Sequence, residues 1–190
     1  MREYTKTPIQ NPHHMEFHFL SFDLRYNNAM ETFDINPICS NDREWVTSVL
    51  TEQWGSTTII TRGISHLADE LQGFIAYLDG KRVGLITYTI SNNECEGITL
   101  NSFIEGKGVG RVLIDTMKEV ARKQRCKRLW FITTNDNLKA LRYYQRHGFI
   151  LAALYKNAIE QSRKIKPEIP LIGLDGIPLR DEIELEMKLS

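Results

Sequence analysis

Apolar and polar positions alternate along much of the chain, and the period of that alternation predicts its elements. Residues 32–38 alternate as a strand, and Ser40 or Asn41 then caps a helix running to about Trp54, with Trp45, Val49, Leu50 and Trp54 as its apolar face. Strands follow at 57–61, 73–78 and 82–90, the last two joined by an Asp79-Gly80 hairpin turn. After the Asn92-Asn93 turn comes an apolar, β-branched run, then a helix whose Val109, Val112, Leu113, Thr116, Met117 and Val120 share one face. Residues 128–133 form a strand and 137–147 a helix, with Gly148 as its C-cap before a strand reaching Tyr155. A basic helical stretch, NAIEQSRKIK, leads into a segment with three prolines and an Asp175-Gly176 turn, which excludes regular helix. Last, Ile183, Leu185 and Met187 alternate with Glu182, Glu184, Glu186 and Lys188 as a half-exposed strand. Helix, antiparallel meander and strand-helix-strand together read as α+β.

Candidate chemistry begins at ITLNSFIEGKGVGR, residues 98–111. Glycine permits φ > 0 and has no Cβ, so successive N–H groups can converge on one phosphate while the following helix adds its N-terminal partial charge. Spacing separates the known glycine-rich loops. A P-loop needs Lys and then Ser or Thr after its last glycine, but Gly110 is followed by Arg111 and Val112. A dinucleotide fingerprint needs GxGxxG, whereas Gly106, Gly108 and Gly110 are spaced GxGxG, although Asp136 stands near the place of a ribose-binding acid.

The second motif is RLWFITTNDNLKALRYYQRHGFI, residues 128–150. Together the two motifs resemble those of the GNAT-type N-acetyltransferases, with Asn137, Ala140, Tyr143, Tyr144, Gly148 and Phe149 matching an N-x-x-A-x-x-aromatic-Tyr-x-x-x-G-F helix in register. The resemblance extends from about Thr32 to Phe149. It implies a GNAT-like fold: a mixed, mostly antiparallel central sheet with splayed middle strands and helices on both faces. It also implies acetyl-CoA as acyl donor, held by Leu100, Ser102, Gly106, Lys107, Gly108, Val109, Gly110, Arg111, Asn137 and Tyr144. Pyrophosphate would lie on the loop, pantetheine near Asn137 in the gap between splayed strands, and the sulfur near Tyr144. Glu105 departs from the family, which commonly has Gln or Arg at this place, and the backbone amides with Lys107 and Arg111 are left to carry the phosphates.

Acyl transfer to an amine builds charge on a carbonyl oxygen and expels a thiolate, so it needs N–H donors and an acid near sulfur. Tyr144 meets the second need, with Tyr143 assigned to packing. For the amine's proton, Glu94 and Glu96 share one strand face with Cys95 opposite, and Glu96 is the chosen base; a solvated strand end is the competing reading. Cys95 has no histidine nearby in sequence that would favour an acetylated-cysteine route. Three cysteines without CxxC or histidine spacing indicate neither a disulfide framework nor a metal site, and a reducing compartment. Trp54 is read as a core residue in preference to a wall of the amine site.

Composition narrows the partners. The 24 basic and 24 acidic side chains cancel in a chain of 190 residues, which argues against a broad nucleic-acid or membrane surface. No apolar run reaches membrane-spanning length and the polar start does not resemble a secretory signal, so a cytoplasmic address is expected; the tail resembles a C-terminal extension in a bacterial subset of the GNAT proteins, which implies a bacterial enzyme. Three regions are expected: a flexible N-terminal extension (1–30), the acetyltransferase core (31–156) and a C-terminal extension with a final strand (157–190), the last able to cover the acceptor cleft or pair as a homodimer. The functional expectation is direct acetyl transfer to a primary amine of a small molecule or peptide. The alternative is a catalytically weak acyl-CoA-binding sensor or interaction module of the same fold.

Overall fold

The computed structural model describes residues 32–189, so the N-terminal segment and its apolar cluster at Phe17, Phe19, Leu20 and Phe22 lie outside the described residues. In chain order the elements are β1 (Asp34–Pro37), α1 (Arg43–Trp54), β2 (Thr58–Thr61), β3 (Ile64–Leu67), β4 (Gln72–Leu78), β5 (Lys81–Ser91), β6 (Glu94–Ser102), α2 (Val109–Lys123), β7 (Arg128–Thr134), α3 (Leu138–Arg146), β8 (Ile150–Tyr155), α4 (Ala158–Ile165) and β9 (Glu182–Lys188). Seven strands form one sheet in the order β1-β4-β5-β6-β7-β9-β8, and β2 and β3 form a separate hairpin. No described helix is long and apolar enough to cross a membrane.

One face of the sheet carries α2 and α3. Val109, Leu113, Met117 and Ala121, spaced to share one side of α2, are buried against Ile86, Cys95, Leu129, Phe131 and Leu185 from the strands. The opposite face carries α1, whose Val46, Val49 and Leu50 pack with Ile75, Leu85 and Ile98. Trp54 departs from its expected core position: it ends α1, remains 40% exposed, and donates its indole N–H to Asn101 Oδ1 at 3.3 Å. Gly55 follows at φ 76 and ends α1 directly after Trp54.

The β2–β3 hairpin was not legible as a pair. Its two-residue turn, Arg62-Gly63, has φ of 50 and 74, the signs a type I′ turn requires. The recognised turns, Asp79-Gly80 and Asn92-Asn93, have the same signs but carry the residues that favour them, whereas arginine does not announce a left-handed conformation.

Among the described strands, β6 and β7 make the one parallel pair, and they stay paired only from Glu94↔Arg128 to Gly97↔Phe131. Beyond that point they diverge. Ile98 is an extra residue in β6, since β5 pairs Tyr88 with Gly97 but Thr87 with Thr99. Strand β7 instead follows β9 along its full length, from Arg128↔Lys188 to Thr134↔Glu182. Gly97 sits at the vertex because the Phe131 ring fills the space where its Cβ would be.

Strand β9 lies between β7 and β8, so the sheet is incomplete without residues 182–188. The alternation is as expected but the exposure is not: Glu182 and Glu184 are 1% and 3% exposed. Serine and arginine partners compensate this face. Glu182 accepts from the Arg62 backbone N–H and from Ser162 of α4, while Glu184 accepts from Arg128 and from the Tyr155 hydroxyl.

Candidate active site

The open end of the β6–β7 gap faces a cleft of about 690 Å³ on the α2/α3 side. Leu100 and Ser102 of β6 form one wall, Gly106, Gly108, Val109, Gly110 and Arg111 another, and Ala140, Tyr143 and Tyr144 of α3 a third. Gly106 and Gly108 have φ of 73 and 86, and Gly108 is the N-cap of α2, so the loop reaches the helix in a conformation that suits glycine. The first N–H groups of α2 lie at the cleft. This arrangement fits a pyrophosphate: bare backbone amides, a helix N-terminus and the Arg111 side chain at one end of an elongated groove. Glu105 is exposed in the loop.

Two expected donor contacts stand elsewhere. Lys107 is exposed between the two glycines and does not line the cleft. Asn137 uses its carboxamide oxygen to accept the Ala140 N–H at 3.0 Å, capping α3, and is also absent from the cleft wall. Sequence reasoning missed Ile104, Lys139, Arg146 and His147, which do line it. A second groove of about 780 Å³ adjoins it between α2 and α3, with Arg111, Lys118, Lys139, Arg142 and Arg146 against one acid, Asp115. Its cations recur along α3 at helical spacing, a signal available in the sequence.

The paired tyrosines separate cleanly. Tyr143 turns beneath α2, where its hydroxyl occupies the space a Cβ on Gly110 would need and finds no hydrogen-bond partner among the described residues. Tyr144 is 7% exposed and stacks on Phe131 with ring centroids 4.6 Å apart, which places it over the vertex of the splay. Burial, with a smaller contribution from Tyr143, holds its phenol above the ordinary value of 10.0, so it keeps its proton at neutral pH.

Across the sheet, Glu96 is one residue before the last paired position of β6 and 6% exposed. Burial pushes its carboxyl up to about 7; Thr61 and Arg62 oppose that shift, and Glu184 and Glu182 add to it. Thr61 Oγ1 donates to Glu96 Oε1 at 2.7 Å and lies 2.9 Å from His66 Nε2. With the Thr61 proton directed at Glu96, the imidazole N–H donates to the Thr61 oxygen, and the half-buried His66 connects the carboxyl toward solvent. Glu94 differs from its neighbour: the Arg128 guanidinium donates to it at 2.8 Å and lowers its carboxyl. Cys95, on the opposite strand face, is fully buried, and its thiol is pushed up to about 12.

Asp136 has an architectural task. It accepts from Thr134 and from the Leu174 N–H at 2.8 Å, and Gly173 passes too close to it for a side chain. The carboxylate that imitated a ribose-binding acid therefore pins the α4–β9 connection.

Comparison with known proteins agrees with this geometry. Residues 39–149 match the model of the Acetyltransferase (GNAT) family. The chain is similar to the Bacillus subtilis proteins YxbD, 40% identical over 83% of this chain and 99% of that one, and YdhI, 43% identical over 74% and 89%. Among solved structures it resembles an IAA acetyltransferase from Bacillus cereus, with a TM-score of 0.61, 19% identity and coverage of 83% and 100%. It also resembles a GNAT family acetyltransferase from Elizabethkingia anophelis with acetyl-CoA bound, with a TM-score of 0.58, 19% identity and coverage of 83% and 98%. A glycine loop at a helix start, a splayed sheet and a tyrosine over its vertex are thus joined to a matching family model and two close relatives, and the chain belongs to the GNAT acetyltransferase family.

Proposed function

We propose that this protein is an N-acetyltransferase that transfers an acetyl group from acetyl-CoA directly to a primary amine. One observation carries the reading: Tyr144 and Glu96 flank the vertex of the β6–β7 splay from opposite faces of the sheet. Bound acetyl-CoA supplies an activated acetyl thioester. Gly106, Gly108, Gly110 and Arg111 suit its phosphates, Leu100 and Ala140 its pantetheine arm, and the adjoining basic groove further phosphate charge.

Beyond Gly97 the β7-facing side of β6 has no strand partner, which leaves its backbone groups directed at the gap. N–H groups placed there favour negative charge on a carbonyl oxygen. Glu96, with a carboxyl near 7, takes the proton the attacking nitrogen sheds as its bond to the acetyl carbon forms; once protonated it donates to Thr61, whose hydroxyl turns to an unprotonated His66 Nε2, and the reversed pair of hydrogen bonds gives that proton a route outward. Tyr144 gives its proton to the sulfur as the carbon–sulfur bond breaks. The buried, strongly basic Cys95 thiol on the core side supports direct transfer over a cysteine intermediate.

Calorimetry against acetyl-CoA and CoA tests the donor half, with Gly108→Asp as the altered loop. The expected result is binding by the parent protein and none by the variant. No binding by either would remove the donor assignment. Thiol release over a panel of primary amines then tests transfer; a donor-binding protein that acetylates none of them would be a sensor of the same fold.

A further inference from the structure

The face of the sheet that bears Glu96 holds a second feature that proton transfer does not use. Glu94 and Glu96 of β6 and Glu182, Glu184 and Glu186 of β9 point to this face, with Trp130 of β7 in register between Glu96 and Glu186. Arg128 serves three of the carboxylates, donating to Glu94, Glu184 and Glu186. Arg62 reaches in from the hairpin turn. Its guanidinium lies 4.1 Å from the centre of the Trp130 ring and 3.7 Å from Glu184, and its charge opposes the rise that burial gives the carboxyls of Glu96 and Glu182.

The Arg62 side chain is 31% exposed while that of Glu184 beneath it is 4% exposed, so arginine is the cover over the carboxylates. Its turn is separate from the main sheet and places a non-glycine residue at φ 50. Trp130 itself is 3% exposed, and its indole N–H has no partner among the described residues, a donor left over amid carboxylates. Among the described residues no three His, Cys, Asp or Glu side chains are arranged to hold a metal ion, and the indole face is the kind of surface that receives an organic cation.

We propose that this is the subsite for a second cationic centre of the acceptor, and that Arg62 occupies it in the acceptor's absence. The inference rests on the transferase reading and deepens it: the acceptor class is a primary amine that carries a further ammonium or guanidinium group. The reacting nitrogen must lose its proton to Glu96, so it cannot also be the cation that neutralises Glu182 and Glu184. A cation that stays charged throughout takes the Trp130 face and displaces the Arg62 side chain, while Thr61 keeps its hydrogen bond to Glu96. The leftover indole N–H suits a carbonyl or hydroxyl oxygen between the two nitrogens.

Calorimetry with CoA-saturated protein tests this with lysine amide and norleucine amide, which share an α-amine, a carboxamide and nearly the same stem but differ by the distal ammonium. Lysine amide should bind at least about tenfold more tightly to the parent protein, the scale of one desolvated cation over an indole with a carboxylate beside it. Arg62→Ala should tighten lysine amide further and leave norleucine amide unchanged, whereas Glu184→Gln should weaken lysine amide alone. Should Arg62→Ala fail to fold, Arg62→Gln, which keeps the stem over Trp130, replaces it with the same expectation. Equal affinity of the two amides for the parent protein, or lysine amide binding no tighter after removal of the Arg62 charge, would overturn the proposal. Saturation with CoA at the outset keeps this outcome distinct from failure of the transferase reading, which would appear as no CoA binding.

Discussion

The two faces of the β6–β7 pair are built from opposite materials. Toward α2 and α3 lie backbone amides, glycines and cations: Gly106, Gly108 and Gly110 at the helix start and Arg111, Lys139 and Arg146 around them. Toward the hairpin and α4 lie carboxylates and an indole: Glu96, Glu182, Glu184 and Trp130, all nearly closed to solvent. The first suits an anion and the second a cation, and the strands that divide them part just past Gly97. The contrast teaches how one thin sheet can serve the proposed transfer between oppositely charged partners: each side suits one of them, and the gap is where the two sides meet.

Substitutions on each side should therefore separate kinetically. The largest effect belongs to Tyr144→Phe, expected to lower kcat by about 10²- to 10⁴-fold with acetyl-CoA affinity retained, since the ring still stacks on Phe131. A fall in donor affinity of the same size would show that Tyr144 holds the donor instead of serving the sulfur. Glu96→Gln should cost about 10²-fold in kcat/KM and remove the rise in rate that the parent protein shows as pH passes through about 7. An unchanged pH profile would move the base to another residue.

Gly97→Ala attacks the border itself. Its methyl group would enter the Phe131 ring, and the cost of forcing a methyl into a packed place is about 1–3 kcal/mol, readable as a lower urea midpoint. Both donor and acceptor parameters should suffer here, unlike in the single-face variants. A further effect concerns stability against pH. Glu96 has a folded pKa raised from 4.5 to about 7, so the folded state holds this proton longer than the unfolded chain. Its contribution is fully present below the lower value and is lost as pH rises through the upper one. Glu96→Gln, which never ionises, should gain on the order of 3 kcal/mol relative to the parent at about pH 8 and almost nothing at about pH 4. Thermal denaturation at the two pH values checks the difference.

The same contrast explains what could be read from the sequence. The donor side is local: residues 100–111 and 137–149 each form one short continuous segment, so spacing pointed to Gly106 and Gly108 as a phosphate loop, while the resemblance to the GNAT family implied Tyr144 and the splay. Lys107 and Asn137 were placed by register, but register does not fix side-chain direction, and Asn137 spends its oxygen on the cap of α3. The carboxylate side is assembled from afar. Thr61 meets Glu96 across 35 positions and Arg62 meets Glu182 across 120. Nothing in IELEM tells that its glutamates are buried, because strand alternation separates two faces without saying which is covered. The hairpin that covers them turns on Arg-Gly, which carries no conventional turn signature.

The place of β9 has a consequence for the making of this protein. Strands β7 and β8 flank a slot that only residues 182–188 can fill, so a ribosome that has released everything up to residue 181 has delivered a sheet split in two. The glycine loop and the tyrosine helix are by then synthesised, but Leu185 of the core and Glu182 and Glu184 of the carboxylate face are not. Completion of the sheet thus waits for residues 182–188, and a chain broken off before them would expose two unpaired strand edges, which invite pairing with other chains.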